Sequence, residues 1–108
     1  MAVLKNIKLS TTYNEVHDIT QDVKKVVEES GIQEGICIVH NMHSTAGLAV
    51  FSPWDPDGFV DLDEEIRRLE TFIVHNGKLL LGGSQGIYFL EFDGPRNREF
   101  YVKVVEDK

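Results

Sequence analysis

The chain has 108 residues, a length for one domain spanning 1–108 that buries roughly 65% of the surface its unfolded form exposes, enough for a single core without staples. Its 18 Asp plus Glu against 11 Lys plus Arg give a net charge of −7, which repels nucleic-acid backbones and anionic lipid surfaces and argues against both as partners. No apolar run approaches the ~18 residues of a membrane span and no signal-like segment stands out; with Cys37 alone in an apolar run, no internal disulfide forms, and a reducing cytoplasm is expected.

Residues 2–10 alternate, with Val3, Ile7 and Leu9 on one side, and predict a half-exposed first strand. Thr20 is placed to cap a helix over 21–30. Asp22 falls in its first turn, Ile19, Val23, Val26 and Val27 recur at helical spacing, and Ser30-Gly31 closes it. Residues 36–41 and 46–52 read as two neighbouring strands separated by His43-Ser44-Thr45. Phe59, Leu62, Ile66 and Leu69 follow Asp55-Pro56-Asp57 at helical spacing, so a second amphipathic helix is predicted over about 57–70. Residues 71–75 and 78–81 flank Asn76-Gly77, the dipeptide that suits a type I′ hairpin turn. Residues 86–93 and 98–106 read as another hairpin around Gly94-Pro95-Arg96-Asn97. Strands clustered around two helices give an α+β architecture with a largely antiparallel sheet.

One junction in this reading is odd. Leu69 completes a helical face and Thr71 opens a strand, leaving only Glu70 between them, whereas helix-to-strand loops take about 2–6 residues.

The chemistry-bearing residues suit an anionic small molecule. His43 offers a ring that acts as acid, base or neutral ligand, or that simply bonds a neighbouring strand end. Ser44 and Thr45 offer hydroxyls to a phosphate oxygen or to the local backbone. Arg96 and Arg98 have planar guanidiniums that clamp phosphate, or that pair with Glu91, Asp93 or Glu99. Asp61 is one of several acids on the predicted second helix, where a solvated face is the plain alternative. Gly82-Gly83-Ser84-Gln85-Gly86 lacks the lysine and following helix of a phosphate loop, which favours a tight connection between strands. His40 and His43 fall on opposite faces of an extended strand, so they make no metal pair. His75 is expected to face solvent, and His17 lies in a polar stretch.

Two segments carry a family resemblance. His43-Ser44-Thr45-Ala46-Gly47, and Leu81-Gly82-Gly83-Ser84-Gln85 followed by Glu91-Phe92-Asp93-Gly94-Pro95-Arg96, resemble the signatures of the YjbQ-like secondary thiamine-phosphate synthase family. Members typically read His-Thr-Thr-Ala and Leu-Gly-Thr-Trp-Gln, then a Glu-Phe-Asp-Gly-Pro-Arg-like hairpin. Ile19-Thr20 and Gly31-Ile32-Gln33-Glu34-Gly35 fit the same pattern upstream. The resemblance implies a bifurcated, pseudo-barrel sheet, a homotrimer, and a transferase that joins a pyrimidine methyl diphosphate to a thiazole phosphate. It makes His43 catalytic, with Ser44, Thr45, Gln85, Arg96 and Asp61 binding substrate. It also implies a divalent metal ion, with His43 as a ligand only if partner histidines exist in a segment this sequence does not contain.

That segment is the principal departure. Members of the family carry a long insertion with a Tyr-x-His element, a Glu-Gly-Asn-like turn and an Ala-His pair, which would fall near residues 69–71 and is missing here, either deleted from the protein or left out of this sequence. Gly83-Ser84 replaces Thr-Trp, removing a stacking surface for a flat heterocycle. Ser52-Pro53-Trp54 stands where a glutamate is usual. These losses support an alternative expectation: a non-catalytic trimer that binds a phosphate-bearing metabolite or another protein.

Overall fold

The computed structural model describes residues 1–52 and 66–107. Among them run β1 (Ala2–Thr11), β2 (Val16–Asp18), α1 (Thr20–Ser30), β3 (Glu34–Asn41), β4 (Ala46–Phe51), β5 (Leu69–His75), β6 (Lys78–Leu79), β7 (Gly86–Glu91) and β8 (Arg96–Glu106). The strands form two antiparallel sheets, a five-stranded one ordered β1-β8-β3-β5-β6 and a three-stranded one ordered β2-β7-β4.

Alternation in β1 turns Val3, Ile7 and Leu9 toward a shared core, as their spacing predicts. Helix α1 buries Val23, Val26 and Val27 against that core and ends at Gly31, whose φ of 73° is the left-handed value a C-terminal glycine supplies. Its start differs from expectation. Ile19 is the N-cap residue and Thr20 is already helical. Asp18 Oδ1 instead accepts the Thr20 backbone N–H at 2.9 Å and its hydroxyl at 2.6 Å, while Thr20 Oγ1 accepts the Ile87 N–H and ties the helix to β7. The Asn76-Gly77 hairpin forms as predicted, with His75 opposite Lys78 and both turn residues at positive φ.

Two strand pairings were misassigned by local pattern. β3 and β4 are consecutive but lie in different sheets, so the residues between them carry the chain from one sheet to the other. β7 and β8 likewise do not form a hairpin: β7 pairs with β2 and β4, and β8 with β1 and β3. Gly94 between them has a φ of 98°, and a Cβ there would meet the Thr12 carbonyl oxygen at 2.8 Å, so this crossover requires glycine.

The described residues contain one helix, not two. Residues 66–70, expected as the end of the second helix, are extended: Arg67 bridges Leu48, and β5 begins at Leu69, opposite His40. Backbone bonds between Leu48 and Arg67 run in both directions, at 2.6 and 2.7 Å, and Ile66 packs on Ala49, Phe51 and Leu90. Those cross-strand bonds outweigh the weak periodic signal of Ile66 and Leu69, and no helix-to-strand turn is needed at Glu70. The rest of the predicted helix, with Asp61, lies outside the described residues.

The core lies between the sheets and α1. Phe89 from the three-stranded sheet meets Phe100 from the five-stranded one with ring centroids 5.9 Å apart, and both are fully buried. Cys37 is buried beside them as the small apolar residue its context suggested, and burial pushes its thiol up to about 12.

Candidate functional site

The passage between the sheets is built by a buried asparagine. Asn41, fully buried at the end of β3, accepts the His43 N–H at 2.9 Å through Oδ1. Its Nδ2 donates to the carbonyls of His43 and Ala46, at 3.1 and 2.8 Å. The amide thereby satisfies backbone groups that leave one sheet before joining the other. This role was visible in outline, because an Asn ending an apolar strand one residue before Met42-His43 is a turn former.

The His43 ring caps the β3–β8 ladder. Asn41 opposite Phe100 is its last pair, and the next donor along β8, the Glu99 backbone N–H, is accepted by His43 Nε2 at 3.2 Å. A ring that accepts at Nε2 carries its hydrogen at Nδ1, so Nδ1 is a donor. His43 is half-buried and lines a cleft of about 600 Å³ with Lys8, Ser10, Asn97, Arg98 and Glu99. Lys8 pairs with Glu99 and Ser10 with Asn97 across β1 and β8, which sets these four on the sheet face turned away from the core. Ser10 Oγ donates to Asn97 Oδ1 at 3.2 Å, and Asn6 Nδ2 donates to Glu99 at 3.2 Å.

Behind this wall, a buried ion pair joins the sheets. Arg98 donates from Nε to Glu91 Oε1 at 2.7 Å and from Nη2 to Glu91 Oε2 at 2.5 Å, a two-pronged fork. Thr11 Oγ1 and the Asp93 N–H also donate to the Glu91 carboxylate. The Arg98 guanidinium, with these donors, holds the Glu91 carboxyl at about 2 against the cost of burial, and Glu91 in turn raises Arg98. Arg98 Nη2 reaches further, to Thr45 Oγ1 at 2.7 Å, and so links the pair to the turn that bears His43.

The structure therefore brings some predicted site residues together and separates others. His43 lines the cleft, and Thr45, exposed in the same turn, accepts from Arg98. Ser44 lies exposed in the same turn. Arg96 does not line the cleft: it forks onto Asp93 at the exposed tip, lowering that carboxyl, and borders a neighbouring groove with Ser10 and Asn97. Gln85 lies apart. Its Oε1 accepts the Gly82 N–H at 3.0 Å, closing the glycine bend, and it lines a separate groove with Lys24, Ser84 and Tyr88. Asp61 falls outside the described residues. Pattern reading missed Lys8, Ser10 and Asn97, which reach His43 only through long-range pairing of β1 with β8. Its pairing of Arg98 with Glu91 is what the structure shows, but the pair is buried between the sheets and does not sit on a surface hairpin.

Among the described residues no group of three or more His, Cys, Asp or Glu side chains converges as a metal needs. His40 lies on the exposed face with Met42 and Leu69, and His75 Nδ1 pairs with Glu34 at 2.6 Å on the opposite hairpin.

The model of the UPF0047 protein YjbQ-like family matches this chain in two pieces, residues 5–72 and 66–107. The chain is similar to UPF0047 protein YugU of Bacillus subtilis, with 34% identity over 131 residues, 95% of this chain and 99% of that protein. It is also 34% identical to a UPF0047 protein of Methanocaldococcus jannaschii over 120 residues, 87% of each chain. Among solved structures, a YbjQ-like protein of unknown function from Sulfolobus solfataricus superposes with a TM-score of 0.88 at 26% identity, covering 99% of both chains. A structure from C. acetobutylicum reaches 0.82 at 35% identity, covering 95% of this chain and 99% of that one. The matched names describe a family and no reaction.

Proposed function

This chain belongs to the YjbQ-like UPF0047 family, and from that premise we propose that the cleft beside His43 binds the phosphate of a small metabolite. The observation that carries this reading is the convergence of His43, Lys8, Ser10 and Asn97 on one cleft, a cation among neutral donors. Such a set neutralises an oxyanion locally despite a net charge of −7 on the whole chain. The Glu99 carboxylate, which accepts from Asn6, lines the same cleft and opposes it.

The enzymatic form of the proposal is a thiamine-phosphate synthase-like transfer, in which a thiazole nitrogen displaces diphosphate from a pyrimidine methyl carbon. His43 Nδ1–H and Lys8 would then meet the departing diphosphate. The non-catalytic form keeps the binding and omits the transfer. Calorimetric titration with the pyrimidine diphosphate, followed by a product assay with the thiazole phosphate, separates them. Binding should weaken by about 3- to 10-fold in His43→Ala, the size of one neutral hydrogen bond. Equal heats from both proteins would reject the site, and binding without product would select the non-catalytic form.

Homotrimer assembly belongs to the same reading. Leu4, Ile36, Met42, Leu69 and Ile73 are all exposed on or beside the outer face of the five-stranded sheet, apolar side chains that a neighbouring protomer would cover. The cleft opens on that face, so assembly would narrow it. The relatives' extra segment is also part of the proposal: the YugU alignment spans 131 residues, more than the 108 of this chain, and both family-model pieces claim residues 66–72. Native mass spectrometry is expected to give a three-fold multiple of a 12.3 kDa protomer. A monomer would remove the trimer, and a heavier protomer would show a segment present after all.

A further inference from the structure

Arg98 has more donors than its protein partners use. Its side chain is 7% exposed, and Nε and Nη2 serve Glu91 and Thr45. No group among the described residues accepts from Nη1. Nor does Nη1 number among the buried nitrogens without a partner, so it touches solvent. Arg98 is also part of the wall beside His43.

We infer that Arg98, through Nη1, is the arginine that holds an oxygen of the bound phosphate, with Glu91 and Thr45 as the residues that fix its orientation. This rests on the reading of the cleft as an anion site. A guanidinium is rigid and planar, so bonds on Nε and Nη2 set where both Nη1 hydrogens point without loss of side-chain freedom on binding. The pair with Glu91 cancels the net charge and leaves the donors. Arg98 leaves β8 on the face opposite Lys8, so an oxyanion at the edge beside His43 is met by directed hydrogen bonds from Arg98 on one side and by charge from Lys8 on the other. Arg96, the more exposed arginine and the one that the family resemblance assigns to substrate, is held by Asp93 and plays no part.

The test uses inorganic phosphate and pyrophosphate as probes, titrated into the folded protein and followed by amide chemical shifts. Arg98→Lys keeps a charge for Glu91 and lacks the second terminal nitrogen. The paired change Glu91→Met with Arg98→Met removes both buried charges at similar volume, which buried pairs tolerate. Both proteins should bind either probe about 10- to 100-fold more weakly than wild type, the loss of a charge-assisted hydrogen bond. Arg96→Gln should bind as wild type does. Wild-type affinity in the folded double variant would overturn the role of Arg98 and leave the cleft standing, provided His43→Ala still weakens binding. No binding by the wild type would overturn both.

Discussion

Replacing Glu91 by alanine is expected to destabilise the fold by about 3–5 kcal/mol at neutral pH, because it leaves a guanidinium buried without its counter-charge. Glu91 is 1% exposed and Arg98 8%, so the guanidinium would be left largely out of bulk water. The loss is a large part of the total stability of a domain this size, about 5–15 kcal/mol. Acid should produce a milder version of the same effect. The Glu91 carboxyl titrates at about 2 in the fold against an ordinary 4.5. The unfolded chain therefore binds the proton first as pH falls. The stabilisation is complete above about 4.5 and is lost progressively as pH drops toward about 2. Urea unfolding at pH 7 and at pH 3 checks both statements: the gap between wild type and Glu91→Ala should narrow at the lower pH. A gap below ~1 kcal/mol at pH 7, the scale of an exposed ion pair, would mean that the sheets are not joined by this pair.

Phe100→Ala should cost a similar amount, about 3–5 kcal/mol, as for other fully buried aromatics. Phe100 lies in β8 next to Glu99 and packs on Phe89 of the other sheet. Its loss opens a cavity on the seam between the sheets, directly under the backbone N–H that the His43 ring accepts. Phosphate binding should therefore weaken together with stability, whereas a cavity on the helix side of the core, as in Val27→Ala of α1, should cost stability alone. Denaturation of both variants, with titration of the folded protein, tests the coupling. A cost below ~1 kcal/mol for Phe100→Ala would show that the two sheets do not share one core.

The elements that local pattern revealed are those whose signal is local. Alternation in β1, the stripe of Val23, Val26 and Val27, and Asn76-Gly77 each depend on neighbours a few residues away, and each appears where expected. Sheet membership depends on long-range pairing, so the partners of β7 and β8 were hidden behind the hairpin-like Gly94-Pro95. Ile66 and Leu69 show how thin a periodic signal is when a bridge from Leu48 competes for the same backbone. The site followed the same division. His43 stood out by chemistry, while Lys8, Ser10 and Asn97 came to it through the β1–β8 register. Glu91 was legible as one of three candidate partners of Arg98, but the burial of the pair was not. A glutamate closing the apolar strand Ile87, Phe89, Leu90 was the available hint that its charge is buried and paired.

Mapping pyrophosphate onto the protein by amide chemical shifts tests the central claim most directly. Saturable shifts should gather at Lys8, Ser10, His43, Asn97 and Glu99, on both sides of the β1–β8 pairing and at the turn between the sheets. Shifts gathered instead at Lys24, Ser84 and Gln85, or none at all, would contradict the account.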